Sequence, residues 1–92
     1  MTPERMTDRL AEWVRVLWRD GRWVRRVDYV EDDGARRTWV LWEGGRQVGH
    51  VRLRFWQGAE GQREWLYEAS DRTRAMLGLD DAAEPGQTGG EG

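Results

Sequence analysis

Between residues 22 and 56 the chain breaks at such specific dipeptides that an antiparallel meander is the arrangement it is best suited to form. Three strand-like runs, residues 22–32, 35–43 and 46–56, are separated by Asp33-Gly34 and Gly44-Gly45. Both dipeptides suit a two-residue hairpin turn, whose central residues take φ > 0. If both hairpins turn in two residues, Val27 lies opposite Val40 and Tyr29 opposite Thr38. Val40 then lies opposite Gly49, and Thr38 opposite Val51. Opposite residues share a face. One face therefore collects Trp23, Val27, Tyr29, Thr38, Val40, Trp42, Val51, Leu53 and Phe55, with only Arg25 out of character, and is the expected core. A one-residue bulge at Gly44-Gly45 would turn the third strand over.

The same register puts Val24, Arg26, Asp28, Val30, Arg37, Trp39, Leu41, Val48, His50, Arg52, Arg54 and Trp56 on the other face. Trp39 sits at its middle, between Asp28 and His50. Guanidinium groups among indoles are the residue types enriched at binding hot spots, and they also suit stacking on single-stranded bases. The expected partner-binding residues are thus Arg26, Arg37, Trp39, His50, Arg52, Arg54 and Trp56, on a surface left open to solvent.

The flanks read as helical. Thr2 can cap a helix over residues 3–19, with Pro3 at its first position. Met6, Leu10, Trp13, Val14 and Leu17 form its apolar stripe. Asp20-Gly21 is its expected stop. After a loop at residues 57–61, residues 62–79 favour one helix on propensity. The competing reading is a fourth strand over 63–69 followed by a short helix capped by Ser70. Residues 80–92 are glycine-rich and acidic, with no apolar side chain larger than alanine, so a disordered tail is expected there. The domain is expected to occupy residues 1–79. The fold class is α+β: an N-terminal helix, a three-stranded antiparallel meander (four-stranded under the competing reading) and a C-terminal helix, with both helices on the Trp23/Val27/Val40/Leu53 face.

Composition narrows the chemistry. At 92 residues the chain makes one small domain, and such a domain buries only about 60–65% of its unfolded surface. Seven tryptophans compensate in part. Cys, Lys, Ile and Asn are absent. Without Cys there is no disulfide framework or thiolate metal site. Without Lys there is no Walker-type phosphate loop. Lys, Ile and Asn have A/T-rich codons, so their absence points to a high-GC genome, bacterial or phage. His50 is the only histidine and Ser70 the only serine, with no nucleophile or metal-ligand signature around either. No catalytic residue, metal or cofactor is implied.

Charge is unevenly spread. Residues 21–56 hold eight Arg and five acids, while residues 57–92 hold three Arg and eight acids; the total is −2. A whole-protein nucleic-acid footprint is absent. No apolar run approaches a membrane span, and the N-terminus lacks a secretory pattern, which fits a cytoplasmic protein. The order helix–three strands–helix resembles that of the double-stranded-RNA-binding domain. That family's basic helix start is replaced here by Gln62-Arg63-Glu64, and membership does not follow. The expected function is a small non-enzymatic module that binds a protein partner, or its own copy, through the Arg/Trp face. The alternative is weak binding of single-stranded nucleic acid or RNA by the same face.

Overall fold

In a computed structural model the structure describes residues 1–79. The expected tail at residues 80–92 lies outside the described residues. Eight elements succeed one another: α1 Pro3–Val16, β1 Trp18–Arg19, β2 Arg22–Trp23, β3 Arg25–Asp32, β4 Arg36–Glu43, β5 Arg46–Gln57, β6 Arg63–Glu68 and α2 Asp71–Leu77. β1 and β2 form a separate two-stranded hairpin, and β3-β4-β5-β6 form a four-stranded antiparallel sheet in sequential order. The α+β class holds. None of the described helices is long and apolar enough to cross a membrane.

α1 begins as its sequence implies: the Thr2 hydroxyl accepts from the Arg5 backbone N–H, and Pro3 opens the first turn. It stops at Val16, not at residue 19, because Leu17 is already extended. The next residues are taken up by a hairpin. Trp18 pairs with Trp23 and Arg19 with Arg22 around Asp20-Gly21, whose φ values are both positive, 54° and 74°. The dipeptide expected to end the helix is instead a tight hairpin turn. Two indoles meeting edge-to-face at 4.6 Å hold the strands that it joins.

The competing reading of residues 62–79 is the one that forms. Trp65 and Tyr67 alternate with Glu64, Leu66 and Glu68, and β6 aligns the two aromatics with Phe55 and Leu53 of β5. Cross-strand aromatic packing outweighs the helix propensity of Glu and Leu. Ser70 then caps α2, its hydroxyl accepting from the Thr73 N–H, and Gly78 closes the helix in the left-handed region.

The register of the meander departs from the two-turn expectation at one strand. At the first hairpin the turn slips by a residue on each side, so that the Asp33 N–H donates to the Arg36 carbonyl and Asp32 pairs with Arg37. Val30 is then left out as a bulge, after which Tyr29 pairs with Trp39 and Val27 with Leu41. At the second hairpin Gly44-Gly45 turns as expected, with Glu43 opposite Arg46. Val48 then bulges, and Trp39 pairs with Val51, not with His50. β3 and β5 keep their expected faces while β4, between them, is turned over.

The consequence is a different core. Trp39 and Leu41 join Val51 and Leu53 beneath α1 and α2, in one cluster with Met6, Leu10, Trp13, Leu77 and Leu79. Thr38, Val40 and Trp42, expected inside, lie on the opposite face. Trp23 belongs to the separate hairpin, and Phe55 and Tyr29 keep to the helix side but stay partly exposed at its margins. Both helices do share one face. α2 seats closely because Gly49 has no side chain: a Cβ there would stand 2.5 Å from Thr73 Oγ1. Arg25, the odd residue of the expected core face, lies across the Trp13 ring at 4.7 Å and donates to the Trp13 carbonyl at 3.1 Å.

The inverted middle strand makes a stability prediction. Trp39, 8% exposed, should lose about 3–5 kcal/mol on truncation to alanine, the range for buried aromatics. Trp56→Ala, at an exposed site, should change stability by about 0.5 kcal/mol or less. Urea denaturation separates them. The slipped first turn makes a second prediction. Asp32 and Asp33 accept backbone N–H bonds from Gly34 and Ala35 at 2.9 and 3.1 Å, and chiefly for that reason both carboxyls titrate below the ordinary 3.8. A lowered folded value contributes stability that is present above 3.8 and lost as pH falls through the folded value. The double variant Asp32→Asn, Asp33→Asn should therefore show a flatter loss of stability than the parent when urea midpoints are followed from roughly pH 6 to pH 2.

Candidate functional site

The face of the sheet turned away from both helices carries five of the seven residues expected to bind a partner: Arg26, His50, Arg52, Arg54 and Trp56. Register fixes the grouping. His50 lies opposite Val40, Arg52 opposite Thr38 and Glu68, Arg54 opposite Arg36 and Leu66, and Trp56 opposite Glu64. The other two are on the helix side. Trp39 is in the core, and Arg37 crosses the face of Trp65 with its guanidinium 5.4 Å from the ring centroid. The expectation of an exposed Trp39 at the centre of the surface is therefore corrected, and the cause is the pair of bulges that turn β4 over. In its place the open face presents Trp42, a residue assigned to the core from sequence.

Electrostatics on this face are matched, not one-signed. Arg26 makes a two-pronged contact with Asp28, Nε to Oδ1 at 3.1 Å and Nη2 to Oδ2 at 3.2 Å. Arg36 reaches Glu31 at 3.4 Å and Asp33 at 3.4 Å. Arg52 and Arg54 share Glu68, at 3.8 and 3.2 Å. Such exposed pairs add little to folding, but they cancel most of the positive field that the arginine count suggests. The arginine stems also cover apolar area. Arg26 stands 4.8 Å above the Trp42 ring, a cation–π contact. Thr38 at the sheet centre is only 6% exposed, and its hydroxyl donates to Glu31 Oε1 at 3.4 Å.

Trp56 is the largest side chain this face leaves open, at 40% exposure, with Leu66 nearby at 36%. Its ring is held by the adjoining loop: a Cβ on Gly58 would lie 2.5 Å from the indole, so only glycine allows the ring that position. In sequence, Gly58 reads as ordinary loop composition. The Trp56-Gln57-Gly58 spacing is nonetheless a usable signal, since an aromatic two residues before a glycine at a strand end can fold over its backbone.

The structure does not bring together the two residues that sequence singles out for nucleophilic chemistry. His50 is exposed mid-strand and Ser70 caps α2, so no hydrogen bond joins them. Among the described residues no cluster of three or more His, Cys, Asp or Glu is placed to hold a metal ion.

The shared use of Glu68 is open to test. Glu68→Gln should cost less than about 1 kcal/mol, since the groups involved are substantially exposed. It should also leave Arg52 and Arg54 unmatched and delay elution from immobilised heparin relative to the parent. Unchanged elution would mean that Glu68 does not mask these arginines.

Comparison with known proteins places nothing beside this architecture: no family model matches the chain, and neither a curated protein nor a solved structure matches it significantly.

Proposed function

We propose that the chain is a small non-enzymatic interaction module that binds a protein partner, or a second copy of itself, through the open face of its four-stranded sheet. The observation that carries this reading is the pairing of a wide face, turned away from both described helices, with charges already balanced on it. Such a face offers hydrogen-bond donors and acceptors in fixed positions, with Trp56, Leu66 and Trp42 as apolar ground between them. Exposed aromatic and arginine side chains held on a sheet suit a protein interface, where a few such anchors carry most of the affinity. The same balance speaks against the nucleic-acid alternative. Phosphate binding draws on unpaired cations, and on this face each of Arg26, Arg36, Arg52 and Arg54 has a carboxylate within 4 Å.

Salt and substitution distinguish the two. Self-association is followed by light scattering of the full chain, and partner binding by recovery of a defined complex from the native host. Either should persist when salt is raised to about 0.5 M, because it rests on apolar anchors and short-range pairs. Trp56→Ala and Arg54→Ala should each weaken it by about tenfold or more while leaving the urea midpoint nearly unchanged. If the chain instead retains a single-stranded oligonucleotide, and that binding collapses over the same salt range, the nucleic-acid reading replaces this one.

A further inference from the structure

β3 is an edge strand: β4 covers one side of it, and no strand of the described residues pairs with the other. Its free stretch has two ends. The Val24 N–H is taken by the Leu17 carbonyl, and the Val30 bulge breaks the strand beyond Tyr29. Between them residues 25–29 run regularly, each opposite one residue of β4. The ladder fixes which way their main-chain groups point. The Gly44 N–H donates to the Val24 carbonyl, and positions bonded to one neighbour alternate along an antiparallel strand. Arg26 and Asp28 therefore bond β4, while the N–H and C=O groups of Arg25, Val27 and Tyr29 point outward.

This stretch is complementary to its own reverse. Laid antiparallel against a second copy with Val27 opposite the partner's Val27, it sets Arg25 opposite the partner's Tyr29 and Arg26 opposite the partner's Asp28. The outward-pointing positions then face one another, the arrangement in which each pair exchanges both main-chain bonds. Side chains keep their faces, as a two-fold axis perpendicular to the sheet requires. On the open face Arg26 already meets Asp28 of its own chain at 3.1 and 3.2 Å, and the partner's pair completes a square of alternating charges. On the helix side the two Val27 side chains meet at the axis. A groove of about 260 Å³ between α1 and β3 opens beside Val27, lined also by Leu10, Ala11, Val14, Tyr29 and Trp39. Tyr29 is 47% exposed, and a second copy laid along this edge covers it.

We propose that two copies of the chain join edge to edge through residues 25–29, about a two-fold axis at Val27, so that their four-stranded sheets become one. An unpaired edge is a template for strand addition, and an edge that pairs with its own copy makes a closed dimer, not a growing series. The inference goes beyond the open-face reading. Its contact is main chain to main chain along an edge, and it leaves Arg54 and Trp56, on β5, uncovered. Arg26 is the residue that the two surfaces share.

Sedimentation equilibrium of the full chain tests this, and the apparent mass should rise from monomer toward dimer with concentration. Arg26→Asp sets carboxylate against carboxylate across the seam, and Asp28→Arg sets guanidinium against guanidinium. Each should weaken self-association about tenfold or more. An equimolar mixture of the two variants restores opposite charges at both contacts and should recover the parental association, which also shows that both variants fold. In the parent, the Val27 amide should exchange with deuterium more slowly as concentration rises. If either variant fails to fold, that exchange measurement decides alone. A parent that stays monomeric into the hundreds of micromolar, single variants that associate like the parent, a mixture of folded variants that does not recover, or Val27 exchange independent of concentration would each overturn the proposal. Loss of the dimer in Trp56→Ala with both charge variants still dimeric overturns it in favour of the open face. Loss in the charge variants alone supports the edge and leaves the face free to bind another protein.

Discussion

The packing of Trp39 and Leu41 under the two helices is the contact on which the fold depends, and two bulges make it available. β4 runs Thr38-Trp39-Val40-Leu41-Trp42, apolar or nearly so on both faces, so its own alternation does not say which side is inside. Its neighbours decide. β3 must present Val27 and Tyr29 to the helices, and β5 must present Val51 and Leu53. With two strict hairpins, Thr38, Val40 and Trp42 would join them. Leaving Val30 and Val48 unpaired, one on each flank, lets Trp39 and Leu41 join them instead. Each bulge gives up a ladder position and is stable only if packing offsets the loss. Burying an indole and a leucine side chain together does so, at about 1.5–3 kcal/mol or more for each large side chain.

Inverting one strand also resolves the charges at its ends. Arg37 and Glu43 fall on the helix side, where burial would be costly. Arg37 is instead spread over the Trp65 ring at the sheet's far end, and Glu43 lies 3.7 Å from Arg25. Arg25 in turn covers Trp13. The helix-side core is thus bounded at two of its edges by guanidinium groups lying over indoles, an economical closure for a chain with few aliphatic side chains and many arginines.

The sequence was legible where its signals were redundant. β3 and β5 alternate clearly, so their inner residues could be assigned. The start of α1 carries both a cap and a proline, and it forms where they stand. Three failures share one cause, a local signal that is read alone. Asp-Gly occurs twice. At Asp20-Gly21 both residues take positive φ and make the tight hairpin. At Asp33-Gly34 only Gly34 does, because two aspartate side chains accept the backbone N–H groups that a tighter turn would have used. β6 was obscured by helix-favouring Glu and Leu, although its alternate Trp65 and Tyr67 carried the strand period. Trp39 was misplaced through a register that neither turn dipeptide could report, although Gly49 inside β5 adjoins the Val48 bulge and a glycine within a strand often marks one; the Val30 bulge has no such neighbour.

The open face inherits its character from that same inversion. Had β4 kept the expected side, Trp39 would stand beside Arg52 and His50, and the surface would read as a stacking platform for bases. Instead the centre holds Thr38 and Val40, flanked by the Arg36–Glu31 and Arg52–Glu68 ion pairs, and the large apolar groups lie toward the ends, Trp42 near one and Trp56 near the other. Ion pairs at fixed sheet positions discriminate by geometry, because a partner must present complementary groups at the same spacing or leave charges desolvated and unmatched. A polyanion has no means of satisfying the glutamates. On the reading proposed above, the partner would carry its own mixed charges and an apolar contact for Trp56, as another folded protein surface does.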